Sequence, residues 1–229
     1  MALNIVQTID DRVRIRTVLI SVSDKTGLDL LVTGLASTSP GLRILSTGGT
    51  YDTIQKILGP SAAAALEQVS RYTGQPEMQG GLVKTLDFKI YLGLLSETYN
   101  PAHHADLERA GAVPIDMVVV NLYPFGETVA RSETTPETAR ANIDVGGPCM
   151  TRAAAKNFHR VAVLTDPRDY GVVVNELAAA GGSLSLATRW RLARTAFRLT
   201  AAYDAAVSEY LDGLDFPQVS AVYDVKKGN

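Results

Sequence analysis

The run Met117-Val-Val-Val120 constrains the fold of this chain more than any other stretch. Four apolar residues without polar alternation do not make a strand with one wet face. They predict a strand covered on both sides, at the centre of a parallel sheet. Val18-Leu-Ile-Ser-Val22 and Val161-Ala-Val-Leu-Thr165 have the same character. The first of these enters the polar turn Ser23-Asp-Lys-Thr-Gly27 and then a helical pattern with Leu28, Leu31 and Leu35 on one side. Leu42-Arg-Ile-Leu45 repeats the unit through the Gly-rich turn Ser46-Thr-Gly-Gly-Thr50 and a helix carrying Ile54 and Ile57. Strand, turn and helix in repetition predict an α/β fold, a mostly parallel sheet flanked by helices. In such sheets ligands bind beyond the carboxyl ends of the strands, which is where these turns fall.

The remaining elements carry weaker signals. Val13-Arg-Ile-Arg-Thr17 alternates and predicts a short edge strand, and Ile90-Tyr-Leu-Gly-Leu-Leu95 reads as an apolar strand. Residues 101–110 predict a short helix. Asp166-Pro167 caps another through Leu177, and Ser183 or Ser185 caps a long one to about Leu211. On that last helix Ala193, Ala196, Phe197, Thr200, Tyr203, Val207 and Tyr210 step by three or four, the spacing of a core-facing stripe. The chain divides into an N-terminal extension (1–16), one domain (17–211) and a tail (212–229), where Phe216 and Tyr223 are placed to lie on the body or on a partner chain.

The charge balance excludes some classes of partner. Lys and Arg number 22 against 24 Asp and Glu, a net charge of −2, which gives no reason to expect nucleic acid or an anionic membrane. No apolar run approaches the ~20 residues of a membrane-spanning helix, and the first residues lack the basic and apolar blocks of a leader. Cys149 is the single cysteine and reads as a packing residue, consistent with a reducing, cytoplasmic setting. His103 and His104 are adjacent and face different directions; no metal site is expected.

Chemistry concentrates in residues 142–157, Asn-Ile-Asp-Val-Gly-Gly-Pro-Cys-Met-Thr-Arg-Ala-Ala-Ala-Lys-Asn. Two glycines after a carboxylate lead to Pro148, read as a first helical position, and to an Ala-rich helix. Free N–H groups at such a start favour negative charge. Arg152 and Lys156 lie four apart on one face. The Gly-rich turn at 46–50 is a second anion cradle. Residues 72–81, rich in Gly, Pro and polar side chains, form a functional loop that delivers Lys84, and Asn121 with Tyr123 stands at the tip of the central strand.

Ser21-Val-Ser-Asp-Lys-Thr-Gly27, Ser46-Thr-Gly-Gly-Thr50, Val83-Lys-Thr-Leu86, Val119-Val-Asn-Leu-Tyr-Pro-Phe125, Asn142-Ile-Asp-Val-Gly-Gly-Pro148, Ala153-Ala-Ala-Lys-Asn157 and Thr200-Ala-Ala-Tyr-Asp204 occur in this order. The set closely resembles the inosine monophosphate (IMP) cyclohydrolase domain of the bifunctional purine-biosynthesis enzyme, over roughly residues 17–211. The resemblance implies a methylglyoxal-synthase-like three-layer fold with extra C-terminal helices, and a homodimer. It implies closure of 5-formamidoimidazole-4-carboxamide ribotide to IMP with loss of water, using no cofactor or metal. Matched position by position, it assigns Lys84, Tyr123, Asp144 and Lys156 to catalysis. Ser23, Asp24, Lys25, Thr47, Gly48, Gly49, Thr50, Thr85, Asn121, Val145 and Gly146 are assigned to the nucleotide. Lys25 and the 47–50 turn are expected to hold the 5′-phosphate, Asn121 and the backbone near Val145 the base. Lys156, oriented by Asp144 and Tyr123, is expected to move the proton, and Lys84 to polarise the formyl oxygen.

The sequence departs from the family at Leu82, where arginine is usual, at Asp87-Phe88, where His-Pro is usual, and at Tyr91, usually histidine. Leucine does not replace the bidentate grip of arginine on an anion, so Lys89 or Arg43 is expected to compensate. The family's large formyltransferase domain has no counterpart within the 229 residues, which implies a stand-alone cyclohydrolase fed by a separate formyltransferase. Two other readings share the fold: a methylglyoxal synthase, and a module that binds IMP-like nucleotides without turnover.

Overall fold

The computed structural model describes residues 4–76 and 84–226. Among them, five parallel strands form one sheet. These are β2 (Thr17–Val22), β3 (Arg43–Ser46), β4 (Leu66–Gln68), β5 (Met117–Asn121) and β6 (Ala162–Leu164), in the order β4-β3-β2-β5-β6. The chain builds outward from β2 to one edge, then returns to β2's other side as β5 and continues to the opposite edge. A topological switch point therefore lies between β2 and β5, whose ladder ends with Val22 opposite Asn121.

Alternation within each strand explains the apolar runs. Val18, Ile20, Met117 and Val119 face one core. It is covered by α1 (Leu28–Thr38), α2 (Gly48–Leu58) and α10 (Tyr170–Ala179). Leu19, Val118 and Val120 face a second core. This one is covered by α4 (Val69–Thr73), α5 (Phe88–Leu95), α9 (Gly146–Lys156) and α11 (Leu186–Asp212). Both faces are covered, so both residue parities are mainly apolar, and the buried Ser46 hydroxyl is satisfied by the Ile20 carbonyl at 2.8 Å. The three-layer α/β expectation holds.

Several local expectations are corrected. Residues 90–95 are helix: Asp87 accepts the Lys89 N–H at 2.8 Å as a cap, and Ile90, Gly93 and Leu94 are buried at helical spacing. A short apolar run does not distinguish the two states without that cap. The edge strand falls at Arg12–Arg14 (β1) and pairs antiparallel with β7 (Ser183–Ser185), outside the main sheet. Helix α9 opens at Gly146, making Pro148 its third residue. Proline is accepted there because first-turn N–H groups have no intrahelical partner. On α11, Phe197 leaves the stripe and is exposed beneath the Arg152 guanidinium, 5.8 Å from its ring centre. Trp190 is half-exposed and lies against Phe158 at 4.8 Å.

The terminal segments join the body. Ile15 is in the core. Further helices are α3 (Ala62–Ala65), α6 (Pro101–Ala110), α7 (Phe125–Val129) and α8 (Pro136–Ala141). In the tail, α12 (Phe216–Ser220) lies by α8, and the Tyr223 hydroxyl donates to Glu137 there, while Phe216 is exposed. Arg189, fully buried, ties the N-terminal segment to α11. Its guanidinium donates to the carbonyls of Asp10 (2.8 Å), Asp11 (3.1 Å), Phe158 (3.0 Å), His159 (3.1 Å) and Leu184 (2.5 Å). Each buried acceptor left without a donor costs roughly 1–3 kcal/mol. Arg189→Met is therefore expected to lower unfolding free energy by about 3 kcal/mol or more, read from urea denaturation midpoints; an unchanged midpoint would mean water takes over those carbonyls without cost.

Candidate functional site

Beyond the carboxyl ends of β2, β3 and β5 lies a cavity of about 470 Å³. Its polar wall is built from Ser23 and Lys25 after β2, Thr47–Thr50 after β3, and Asn121 and Tyr123 at the end of β5. Lys84 and Thr85 form another side, and residues 141–147 with Met150 close it. Of the sequence-assigned residues, all but Asp24 and Lys156 line this space.

The 47–50 turn is not a loop that precedes a helix but the helix start itself. Thr47 caps α2 without a side-chain bond, and the ladder begins where the Thr50 and Tyr51 N–H groups meet the Thr47 carbonyl. The N–H groups of Gly48 and Gly49 thus precede the ladder, at the positive end of the helix. Gly48 has φ +46°, which side chains other than glycine's rarely allow. A β-carbon on it would also stand 3.3 Å from the Lys84 ammonium. Backbone dipole and ammonium therefore meet at one corner.

On the opposite side, Asp144 accepts the Gly147 N–H at 2.8 Å. A β-carbon on Gly147 would come within 2.5 Å of that carboxylate, so the glycine makes room for it. Burial raises the Asp144 pKa above the usual carboxylate value, opposed by N–H bonds from Gly147 and Tyr123. Tyr123 itself is 55% exposed, at the mouth. The cavity thus carries ammonium groups at Lys25 and Lys84, helix starts at α2 and α9, and one half-buried carboxylate. It is suited to a ligand with an anionic end and a polar, reacting end.

Some assigned residues also carry hydrogen bonds within the protein. The Asn121 Oδ1 accepts from the Ser23 N–H (2.6 Å), the Ser23 hydroxyl (2.8 Å) and the Asp24 N–H (2.9 Å), and its Nδ2 donates to the Asp24 carbonyl (2.8 Å). The amide is used to join the tips of β2 and β5. Asp24 turns to Thr26, whose hydroxyl and N–H hold its carboxylate below the usual range. The Thr50 hydroxyl bonds both backbone groups of Val22. Lys156 is exposed at the far end of α9, ten residues from Gly146, or about 15 Å of helix. The two cations expected to compensate for Leu82 are committed elsewhere. Arg43 pairs with Glu67 at 2.6 Å, and the Lys89 Nζ donates to the Tyr72 carbonyl at 3.4 Å. Neither lines the cavity. Leu82 and Val83, with most of the glycine-rich loop before them, lie outside the described residues.

The structure adds residues that sequence reasoning left out. Ser21, Leu86 and Met150 line the cavity. The Tyr203 hydroxyl accepts the Asp144 N–H at 2.7 Å. Its signal was available in Thr200-Ala-Ala-Tyr-Asp204, but its helical spacing read as packing. Among the described residues no group of three His, Cys, Asp or Glu side chains is arranged to hold a metal, and no helix is long and apolar enough to cross a membrane.

Comparison with known proteins divides the chain into two matches. Residues 31–149 match the MGS-like domain, and residues 154–227 match the AICARFT/IMPCHase bienzyme. The bifunctional purine biosynthesis protein PurH of Leptospira biflexa serovar Patoc is 46% identical over 208 residues, 90% of this chain and 39% of that protein. PurH of Synechococcus sp. strain WH7803 is 49% identical over 195 residues, 85% of this chain and 36% of that protein. The chain thus spans well under half the length of these curated relatives. A solved structure described as "Crystal structure of ForH" superposes with a TM-score of 0.71 at 34% identity, covering 86% of this chain and 99% of that one. On these matches and the fold beneath them, the chain belongs to the MGS-like domain family, in the form it shares with the AICARFT/IMPCHase bienzyme.

Proposed function

We propose that this protein is an IMP cyclohydrolase, closing 5-formamidoimidazole-4-carboxamide ribotide to IMP in purine biosynthesis. The observation that carries the reading is the convergence of Lys84, Tyr123 and Asp144 on one cavity that also holds two helix starts. The carboxamide nitrogen attacks the formyl carbon of the same molecule, giving a tetrahedral carbinolamine. The attacking nitrogen loses one proton, and the formamide nitrogen loses its own as the ring C=N bond forms. The former formyl oxygen takes up both, its C–O bond breaks, and it leaves as water. Both reacting groups sit on one ring, so the protein's task is to hold the rotamer, stabilise the oxyanion and move protons. In this reading the α2 start and Lys25 bind the 5′-phosphate, and Lys84, beside Gly48, faces the developing oxyanion. Asp144, ionised, and Tyr123 guide the proton.

Purified 5-formamidoimidazole-4-carboxamide ribotide is expected to give IMP, followed by absorbance and chromatography. Lys84→Ala is expected to slow it by ~10²-fold or more. No IMP from the wild-type protein would end the reading. Binding of IMP by calorimetry without turnover would favour the nucleotide-binding module, and a dicarbonyl product from dihydroxyacetone phosphate would favour methylglyoxal synthase. Because burial raises the Asp144 pKa and the ionised form is the one used, kcat/KM should rise with pH along a limb above the ordinary carboxylate range. A limb at the unperturbed value, or none, would remove Asp144 from this role. Gly48→Ala should weaken IMP binding by about tenfold or more, through the strained φ and the displaced ammonium; equal affinity by calorimetry would take the phosphate away from this corner.

Lys156 fits this reading only if a second copy of the chain presents it to the cavity, which accords with the expected homodimer. An equimolar mixture of Lys84→Ala and Lys156→Ala proteins should then recover activity that neither has alone. If Lys156→Ala by itself stays within about tenfold of wild type, the residue has no share in proton transfer.

A further inference from the structure

Tyr123 and Asp144 reach the cavity from separate loops, and one side chain outside the cavity touches the supports of both. Tyr203 lies on α11, one turn past the fully buried Thr200. Its hydroxyl accepts the backbone N–H of Asp144 at 2.7 Å. Its ring meets that of Phe125 edge-on, with centroids 6.2 Å apart and planes at 64°. Phe125 is 2% exposed, also meets the Tyr210 ring edge-on at 5.8 Å, and donates its N–H to the Tyr123 carbonyl at 2.8 Å.

We propose that Tyr203 is a positioning residue that fixes the Asp144 loop and the Tyr123 loop against one rigid helix, so that carboxylate and phenol face the same point. This rests on the cyclohydrolase reading. The argument is geometric. Asp144 has its carboxylate held from α9 and its backbone held from α11, and the second hold keeps residue 144 from sliding along the cavity. Reacting groups displaced by about 1 Å lose up to ~10²-fold in rate. Binding of the 5′-phosphate, which depends on the α2 corner and Lys25, is little affected by such a slip.

Tyr203→Phe keeps the ring on Phe125 and removes the acceptor; Tyr203→Leu removes both. Tyr203→Phe is expected to lower kcat about tenfold with KM within about twofold, and Tyr203→Leu to lower kcat further. In an Asp144→Ala background, Tyr203→Phe should cause no additional loss, since it acts through the missing carboxylate. Amide hydrogen exchange gives a readout independent of turnover: the Asp144 N–H should be protected in the wild type and exchange at least about tenfold faster in Tyr203→Phe. Wild-type kcat in Tyr203→Phe, the same fractional loss in both backgrounds, or unchanged Asp144 exchange would each overturn the proposal. A wild type that makes no IMP but loses Asp144 protection in Tyr203→Phe would sink the proposed activity and leave the anchor standing as a loop support.

Discussion

The interaction on which the site depends is the Asn121 side-chain amide. Parallel strands that part at a switch point leave a crevice, and their tips carry backbone groups that no ladder satisfies. Asn121 takes two N–H groups and a hydroxyl from the turn after β2 and returns a donor to its Asp24 carbonyl. The turn bearing Ser23 and Lys25 is thereby fixed to the strand that ends in Tyr123. An aspartate could accept these donors but not return one, and a hydrophobic residue could do neither.

With the crevice fixed, its charge pattern follows from glycine. Gly48 lets the α2 start come under the Lys84 ammonium, and Gly147 lets the α9 start come under the Asp144 carboxylate. A positive corner and a half-buried acid then stand across one cavity. Water in bulk would weaken both; partial burial strengthens them and lifts the acid's pKa. The exposed Tyr123 stands at the opening between them.

Much of this was legible in the sequence because the signals are local. Apolar runs declared strands with two covered faces, the Asp-Val-Gly-Gly-Pro stretch declared a helix start, and Thr-Gly-Gly-Thr declared a glycine turn before a helix. Where local signals were ambiguous the reading failed. Residues 90–95 needed the Asp87 cap to be seen as helix, and Phe197 has the spacing of a core residue while lying on the surface. Tyr203 could not be recognised as an Asp144 support, because the partners are 59 residues apart and their meeting depends on how α11 crosses the sheet.

Lys156 makes the same point in reverse. Sharing α9 with the Asp144 loop places it near in sequence, yet a helix keeps its two ends apart, and the residue is carried to the far side. The sequence by itself determined the layers of the fold, the two glycine-rich anion-favouring stretches and the types of side chain available for chemistry, since each depends on residues within a few positions of one another. Only the tertiary structure decided that Asn121 is a strut, that Arg43 and Lys89 serve Glu67 and Tyr72, and which groups share the cavity. Those outcomes depend on distances between segments remote along the chain, which packing sets and local pattern does not encode.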